Sequence, residues 1–393
     1  MGRALRTLLN IVGLFSDGAL FPVRGVAERG PGGRDANRIL FRVWLAAVVC
    51  ACRRSANDSS PVVRISAAQL LHRHVPMLIP SRRAAKRLVR PLWLPAAYFA
   101  VLTLGVEASY RHLGSSASVV SLATAGLLST ALAIFLGFRV SEAYDRWWEA
   151  RKLWGAMVNV SRSLGRKITT MIVPERLEAV ADEEQAKKAQ TEILHRHIAY
   201  VNAVRIDLRH GPSVAAAPDA WEEIRPFLSN AEFRSYDSFG NVSTQLLRRQ
   251  AESLRELFGA NAQEELAYLE LQRTLDDLYD VQGACERIKN TFFPYGITLS
   301  TKVLVWGFAS ILPFAVLDAD IQLDAVEVAF CVAMSLAFVL IEQLGESLKK
   351  PFENRPNDTP MTALGRVIEI DLRQMLGETD VPPPLKPVDG VLM

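Results

Sequence analysis

Four cysteines in 393 residues carry no metal signature. Cys50 and Cys52 have one residue between them, and Cys285 and Cys331 stand alone, so reduced, packed thiols are expected rather than a disulfide framework. The formal net charge is only +3, which excludes the strongly basic footprint of a nucleic-acid-binding domain. No Ser/His/Asp set, phosphate-cradling glycine loop or zinc spacing is present, so the chain reads as neither an enzyme nor a cofactor carrier. His195 and His197, one residue apart, point to different faces of a helix and do not suit one metal ion. The absence with the largest consequence is one of charge: from Leu113 to Phe138 there is no charged side chain. A helix crosses a bilayer with about 20 apolar residues, so this segment is long enough to span.

Polarity then changes abruptly. Arg139, Glu142, Asp145, Arg146, Glu149, Arg151 and Lys152 alternate in sign among Tyr144, Trp147, Trp148 and Trp154, the pattern of a helix with wet and packed faces. One continuous rod leaving the membrane is expected. Within it, Ser129, Ala133 and Gly137 repeat every four residues as a small-residue face on which neighbouring helices approach closely. Thr130, Ile134 and Phe138 repeat on the adjacent face. If several copies surround an axis, the second stripe projects an apolar ring inward that gates ions by dewetting. The competing reading is ordinary core packing, the usual meaning of a stripe at helical spacing.

The rest of the chain is consistent with an all-α membrane protein. Residues 1–80 form an N-terminal extension or targeting segment, Arg-rich and acid-poor at first, with breakers in GVAERGPGGR and an apolar run at 43–52 too short to span. Residues 81–138 hold two transmembrane helices: Arg82, Arg83, Lys86, Arg87 and Arg90 precede the uncharged stretch Pro91 to Val106, and the Leu113 to Phe138 segment is the second span. Residues 139–290 read as a large cytosolic region of long helices, one ending near Pro174, one over Asp182 to Leu208, a linker at His210 to Ala220, and amphipathic helices beyond it. Residues 291–345 supply spans three and four, and 346–393 a cytosolic C-terminal segment. The connection between the last spans carries Asp318, Asp320 and Asp324, whereas Lys349, Lys350 and Arg355 follow them. Positive-inside asymmetry then places both termini and the 139–290 block on the cytoplasmic or equivalent side. At the span edges, Glu286, Arg287 and Glu342 are expected to form structural carboxylate–guanidinium pairs.

Three runs, FLGFRVSEAYDRWWEARKLWG, GACERIKNTFFPYGITLSTKVLVWGF and ESLKKPFENRPNDTPM, together resemble the bestrophin family, in particular its bacterial and plant-type members, over roughly residues 85–375. The resemblance implies a homopentameric, usually anion-selective channel, with four transmembrane helices per subunit, a cytosolic helical region and one pore through both. It implies a neck of three residues four apart on the second helix, which fall here on Thr130, Ile134 and Phe138. Thr130 replaces the expected apolar residue, so the outer end of the neck is wetter. It also implies a cytosolic aperture after an Asn or Asp-Pro-like turn; the nearest match, Asn241-Val242, makes Val242 the aperture residue.

The function expected is a chloride-conducting ion channel in the lipid bilayer, whose partners are small anions and further copies of itself. The alternative is a membrane-anchored helical scaffold that binds a cytosolic partner. The Arg-rich leader suits an organelle membrane such as a plastid's, with a bacterial inner membrane or a plasma membrane as the alternatives. Animal members of the family carry an acidic calcium clasp after a Pro-Phe pair. Here Pro351-Phe352 is followed by Glu353-Asn354-Arg355-Pro356-Asn357-Asp358, with Lys349 and Lys350 just before it, too few acids and too many cations for a hard metal ion. Ion flux through reconstituted protein is therefore expected to be the same in calcium and in chelator, and a calcium-stimulated flux overturns this.

Overall fold

The computed structural model describes residues 90–113, 121–259, 261–292, 294–316, 325–388 and 391–392. The leader with its apolar run, Cys50 and Cys52, the basic residues Arg82 to Arg87, and Asp318, Asp320 and Asp324 lie outside the described residues. Among the described residues the structure is helical, with one isolated bridge between Val388 and Val391. The longer helices are α1 (Trp93–Leu113), α2 (Leu122–Met171), α3 (Glu183–His210), α4 (Val242–Leu257), α5 (Ala262–Asn290), α6 (Tyr295–Val316), α7 (Ala325–Leu348) and α8 (Met361–Met375).

The expected rod is a single helix. α2 runs for 50 residues without a break, roughly 75 Å at the α-helical rise. It starts where the Ser121 side chain accepts from the Thr124 N–H at 3.2 Å. No proline interrupts it, and it stops just before Val173-Pro174, where the proline disfavours helical backbone in the residue ahead of it. Since hydrocarbon is about 30 Å thick, much of the rod must project beyond a bilayer. α2, α6 and α7 are the three described helices long and apolar enough to cross a membrane. α1 has 21 residues and includes Glu107 and Arg111.

Side-chain caps open α3, α4 and α5. Asp182 Oδ1 accepts from Gln185 N at 2.8 Å to open α3, whose first turn carries Glu183 and Glu184 and whose last carries Arg209 and His210, each complementing the helix dipole. Asn261 Oδ1 does the same for α5 through Glu264 N at 2.9 Å. The segment read as a linker contains more structure than its Gly and Pro content suggests. After Gly211, at φ 112°, come a turn at Val214–Ala216 and a short helix at Pro218–Trp221. The Trp221 indole is buried and donates to Ser213 O at 3.0 Å, which ties the segment down.

α2 serves two separate cores. Its apolar half contributes Leu132 and Leu136 to a cluster with Phe99 of α1, Val305 and Phe308 of α6 and Val339 of α7. Its charged half contributes Trp154, Met157, Leu164 and Ile168 to a larger cluster with α3, α4, α5 and α8. The forces differ: between helices in lipid, packing and polar contacts do the holding, whereas in water each large buried side chain contributes about 1.5–3 kcal/mol. α8 lies close against α2 at Gly165, where an added Cβ would sit 2.6 Å from Leu372 Cδ2 and 2.7 Å from Met375 Sδ.

His195 and His197 separate as their spacing predicts. His195 Nε2 meets Glu378 Oε1 at 2.8 Å, while His197 is buried with its Nε2 2.9 Å from Ser161 Oγ of α2. Burial depresses the His197 imidazole to about 3, so it is neutral in the fold. Its unfolded value is about 6.5, so this contribution to stability is present above pH 6.5 and is lost as the pH falls toward 3. Replacing His197 with Gln, which keeps a donor for Ser161, is expected to flatten the decline of thermal stability between pH 6.5 and 4; an unchanged slope excludes His197 as its cause.

Candidate functional site

The candidate site is the free face of α2. Buried Leu132, Leu136, Arg139, Ala143, Ala150 and Trp154 recur at helical spacing, so one face of the rod is turned toward the rest of the chain from end to end. The opposite face is uncovered. Leu127 is 76% exposed, Ile134 57% and Phe138 69%, and Thr130 is exposed between them. The Thr130 hydroxyl donates to Gly126 O at 2.9 Å, so its proton is spent on its own helix and its methyl remains as apolar surface. Thr130, Ile134 and Phe138 thus share one open stripe, with exposed Ala133 and Gly137 alongside it and Ser129 half-buried.

Directly below Phe138 the charges are sorted by face. Arg139, the first of the alternating charges after the span, is 3% exposed. Its Nη2 donates to Glu346 Oε2 at 3.1 Å and its Nη1 lies 3.5 Å from Glu342 Oε1, both on α7. Lys349 Nζ closes the group, donating to Glu346 Oε2 at 2.8 Å and to Thr298 Oγ1 of α6 at 2.7 Å. Arg146 donates to Ile288 O and, at 2.6 Å, to Thr291 O. Glu149 pairs with Arg287 at 2.8 Å, and Trp147 Nε1 donates to Asn357 O at 2.8 Å. Glu142 and Asp145, by contrast, are exposed and form no ion pair among the described residues.

The expected pairs are therefore present for Glu342 and Arg287, but Glu286 is bound by amides instead. It accepts from Gln282 Nε2 at 2.7 Å and from Asn241 Nδ2 at 3.3 Å. In the loop after α7, Glu353 lies between Lys350 at 3.1 Å and Arg355 at 2.7 Å, and Asp358 accepts from Arg355 N at 3.0 Å. Burial pushes the Asp358 carboxyl up to about 6.

Val242 is a correction. Its side chain is wholly buried at the start of α4 and its N–H donates to Pro212 O at 3.1 Å, so it has no surface to offer an aperture. The reason is the period of α4: Val242, Leu246, Leu247 and Leu254 form one apolar face, and that face packs into the larger core. Beside it, Asn241 Oδ1 caps the helix through Thr244 N at 2.9 Å. Asp207 lies 3.4 Å from the Ser243 hydroxyl, and burial, followed by the nearby charge of Glu286, pushes its carboxyl up to about 6. The apolar period of α4 carries the signal for a core role at Val242 in the sequence itself, against the aperture that the resemblance implies.

A helical membrane protein organised around one long rod with an open apolar stripe is the class these features define. The family model for bacterial/fungal bestrophin protein matches residues 71–374, and the chain belongs to the bestrophin family. It is an integral membrane protein, and the match begins somewhat before the resemblance noted in the sequence. The chain is 30% identical over 289 residues to the voltage-dependent anion channel-forming protein YneE of Escherichia coli O157:H7, covering 74% of this chain and 87% of that protein. It is 28% identical over 302 residues to the voltage-dependent anion channel-forming protein mll4386 of Mesorhizobium japonicum, covering 77% and 90%. The crystal structure of a bacterial bestrophin homolog from Klebsiella pneumoniae superposes with a TM-score of 0.62 at 26% identity, covering 72% of this chain and 98% of that one.

Proposed function

We propose that this protein is an ion channel that conducts small anions, chloride among them, through a pore at the axis of a homopentamer. The observation that carries the pore is the open stripe: Ile134 and Phe138 lie opposite the face that α2 buries in its own protomer. Copies packed side by side about an axis enclose that stripe as stacked rings. Wide apolar rings are crossed when water fills them and closed when it leaves. The names of the relatives from Escherichia coli and Mesorhizobium japonicum support anion conduction.

In this reading α1 is the first of four spans, its 21 residues reaching about 32 Å, enough for hydrocarbon. Residues 81–138 and 291–345 form the membrane region, 139–290 and 346–393 lie together on the cytosolic side, and 1–80 is an extension or targeting segment. Thr130, Ile134 and Phe138 line the neck. Below it the free face carries Glu142 and Asp145, so the sign of the permeant ion is the property to measure first.

In liposomes or planar bilayers, replacing Ile134 and Phe138 together with Ala is expected to raise chloride flux several-fold per assembled particle. Unchanged currents remove both residues from the gate. Reversal potentials in asymmetric salt are expected to follow chloride; potentials that follow the cation overturn anion selectivity, and purified protein silent to both ions points to a scaffold.

A further inference from the structure

We propose that Arg139 is a positioning residue for the neck: by pairing with Glu342 and Glu346 of α7 it sets the rotation of α2 about its own axis and so aims Phe138 and Ile134. The proposal rests on the pore reading above and concerns residues that themselves touch no ion.

The geometry is that of a key in one slot. Successive residues on an α-helix are about 100° apart, so a side chain held at 139 sets the direction of 138, and five residues back sets 134 by the same rule. Arg139 is held on two sides, by Glu346 Oε2 at 3.1 Å and Glu342 Oε1 at 3.5 Å, one turn apart on α7. Lys349 Nζ, 2.8 Å from Glu346, ties that carboxylate in turn to Thr298 of α6. Glu342 and Glu346 thus face Arg139 and Lys349, with Lys302 of α6 also close enough to act on Glu346. The contact just beyond is close and featureless: a Cβ on Gly345 would sit 3.3 Å from Val140 Cγ2. Above it, Leu132 and Leu136 pack against apolar neighbours. Apolar faces between lipid-embedded helices tolerate small rotations because neither the contact nor the lipid opposes them strongly. A buried guanidinium does not, because turning it away from its carboxylates leaves charge uncompensated.

Plain stabilisation is the competing role, and buried ion pairs often add little net stability over apolar residues of the same shape. The two roles separate experimentally. Wild type, Arg139→Gln, Glu342→Gln and the Arg139→Gln/Glu342→Gln pair are reconstituted, each with and without Phe138→Cys. The readouts are particle size, chloride flux per assembled particle, and the rate at which a charged thiol reagent modifies position 138. Natural Cys285 and Cys331 are buried, and Cys50 and Cys52 are replaced with Ser in every protein compared. Positioning predicts that assembled Arg139→Gln and the double variant change flux and modification rate on the order of tenfold, with Glu342→Gln, which keeps the Glu346 bond, changing less.

Flux and modification rate within about twofold of wild type in the assembled variants, with only thermal stability lowered, overturn the proposal. If Arg139→Gln does not assemble, the double variant, which removes one charge of each sign, decides: wild-type flux and modification there overturn it as well. A Phe138→Cys protein that conducts yet is never modified means that the stripe does not face the ion path; the pore reading then fails first, and the positioning role with it.

Discussion

A helix that passes unbroken from hydrocarbon into water has one rotational setting for its whole length, and that constraint governs this protein. α2 cannot release its backbone hydrogen bonds in lipid, because nothing there replaces them. Its charged half is oriented by Trp154, Met157, Leu164 and Ile168, all buried against the surrounding helices. The azimuth set there reaches the neck only to within the bend and twist that a long helix allows, and in our proposal the Arg139 pairs fix what remains. The buried positions at 132, 136, 139 and 143 continue the same face, leaving Leu127, Ile134 and Phe138 uncovered.

The same constraint sorts the charged residues. In the string from Arg139 to Lys152 the signs alternate, and counted along the chain they nearly cancel. On the helix the charges nearest the span separate by face, and only further down does Lys152 return positive charge to the exposed side. Arg139 and Arg146 turn inward to carboxylates and carbonyls, while Glu142 and Asp145 remain on the open side. A linear count of basic residues therefore describes which side of a membrane the segment prefers, and says little about the field an approaching ion meets.

Much of the fold was legible because its strongest signals are local. The uncharged stretch ending at Phe138, the absence of proline through α2 and the helix start at Asp182 all act within a few residues of themselves. The open stripe was legible as a period, although the period alone did not distinguish it from a core face; exposure in the protomer does. What escaped was long-range. The partners of Arg139 lie more than 200 positions away on α7, and no spacing announces them. Val242 follows the apolar period of its own helix, a stronger local signal than the Asn-Val pair that the resemblance points to. The small turns at 214–221 were hidden by composition, since a buried tryptophan orders a segment whose Gly and Pro content otherwise reads as loose.

The two cores joined by α2 have a calorimetric consequence. One cluster gathers around Leu136 and Phe308 and the other around Trp154 and Ile198, and they share a helix but no buried side chains. Denaturant dissolved in water reaches the second and is largely kept from the first by the detergent or lipid around it, while a harsher detergent acts the other way round. Heat absorption on scanning then need not come as one peak, and an enthalpy extracted on the assumption of a single cooperative unit would describe neither core.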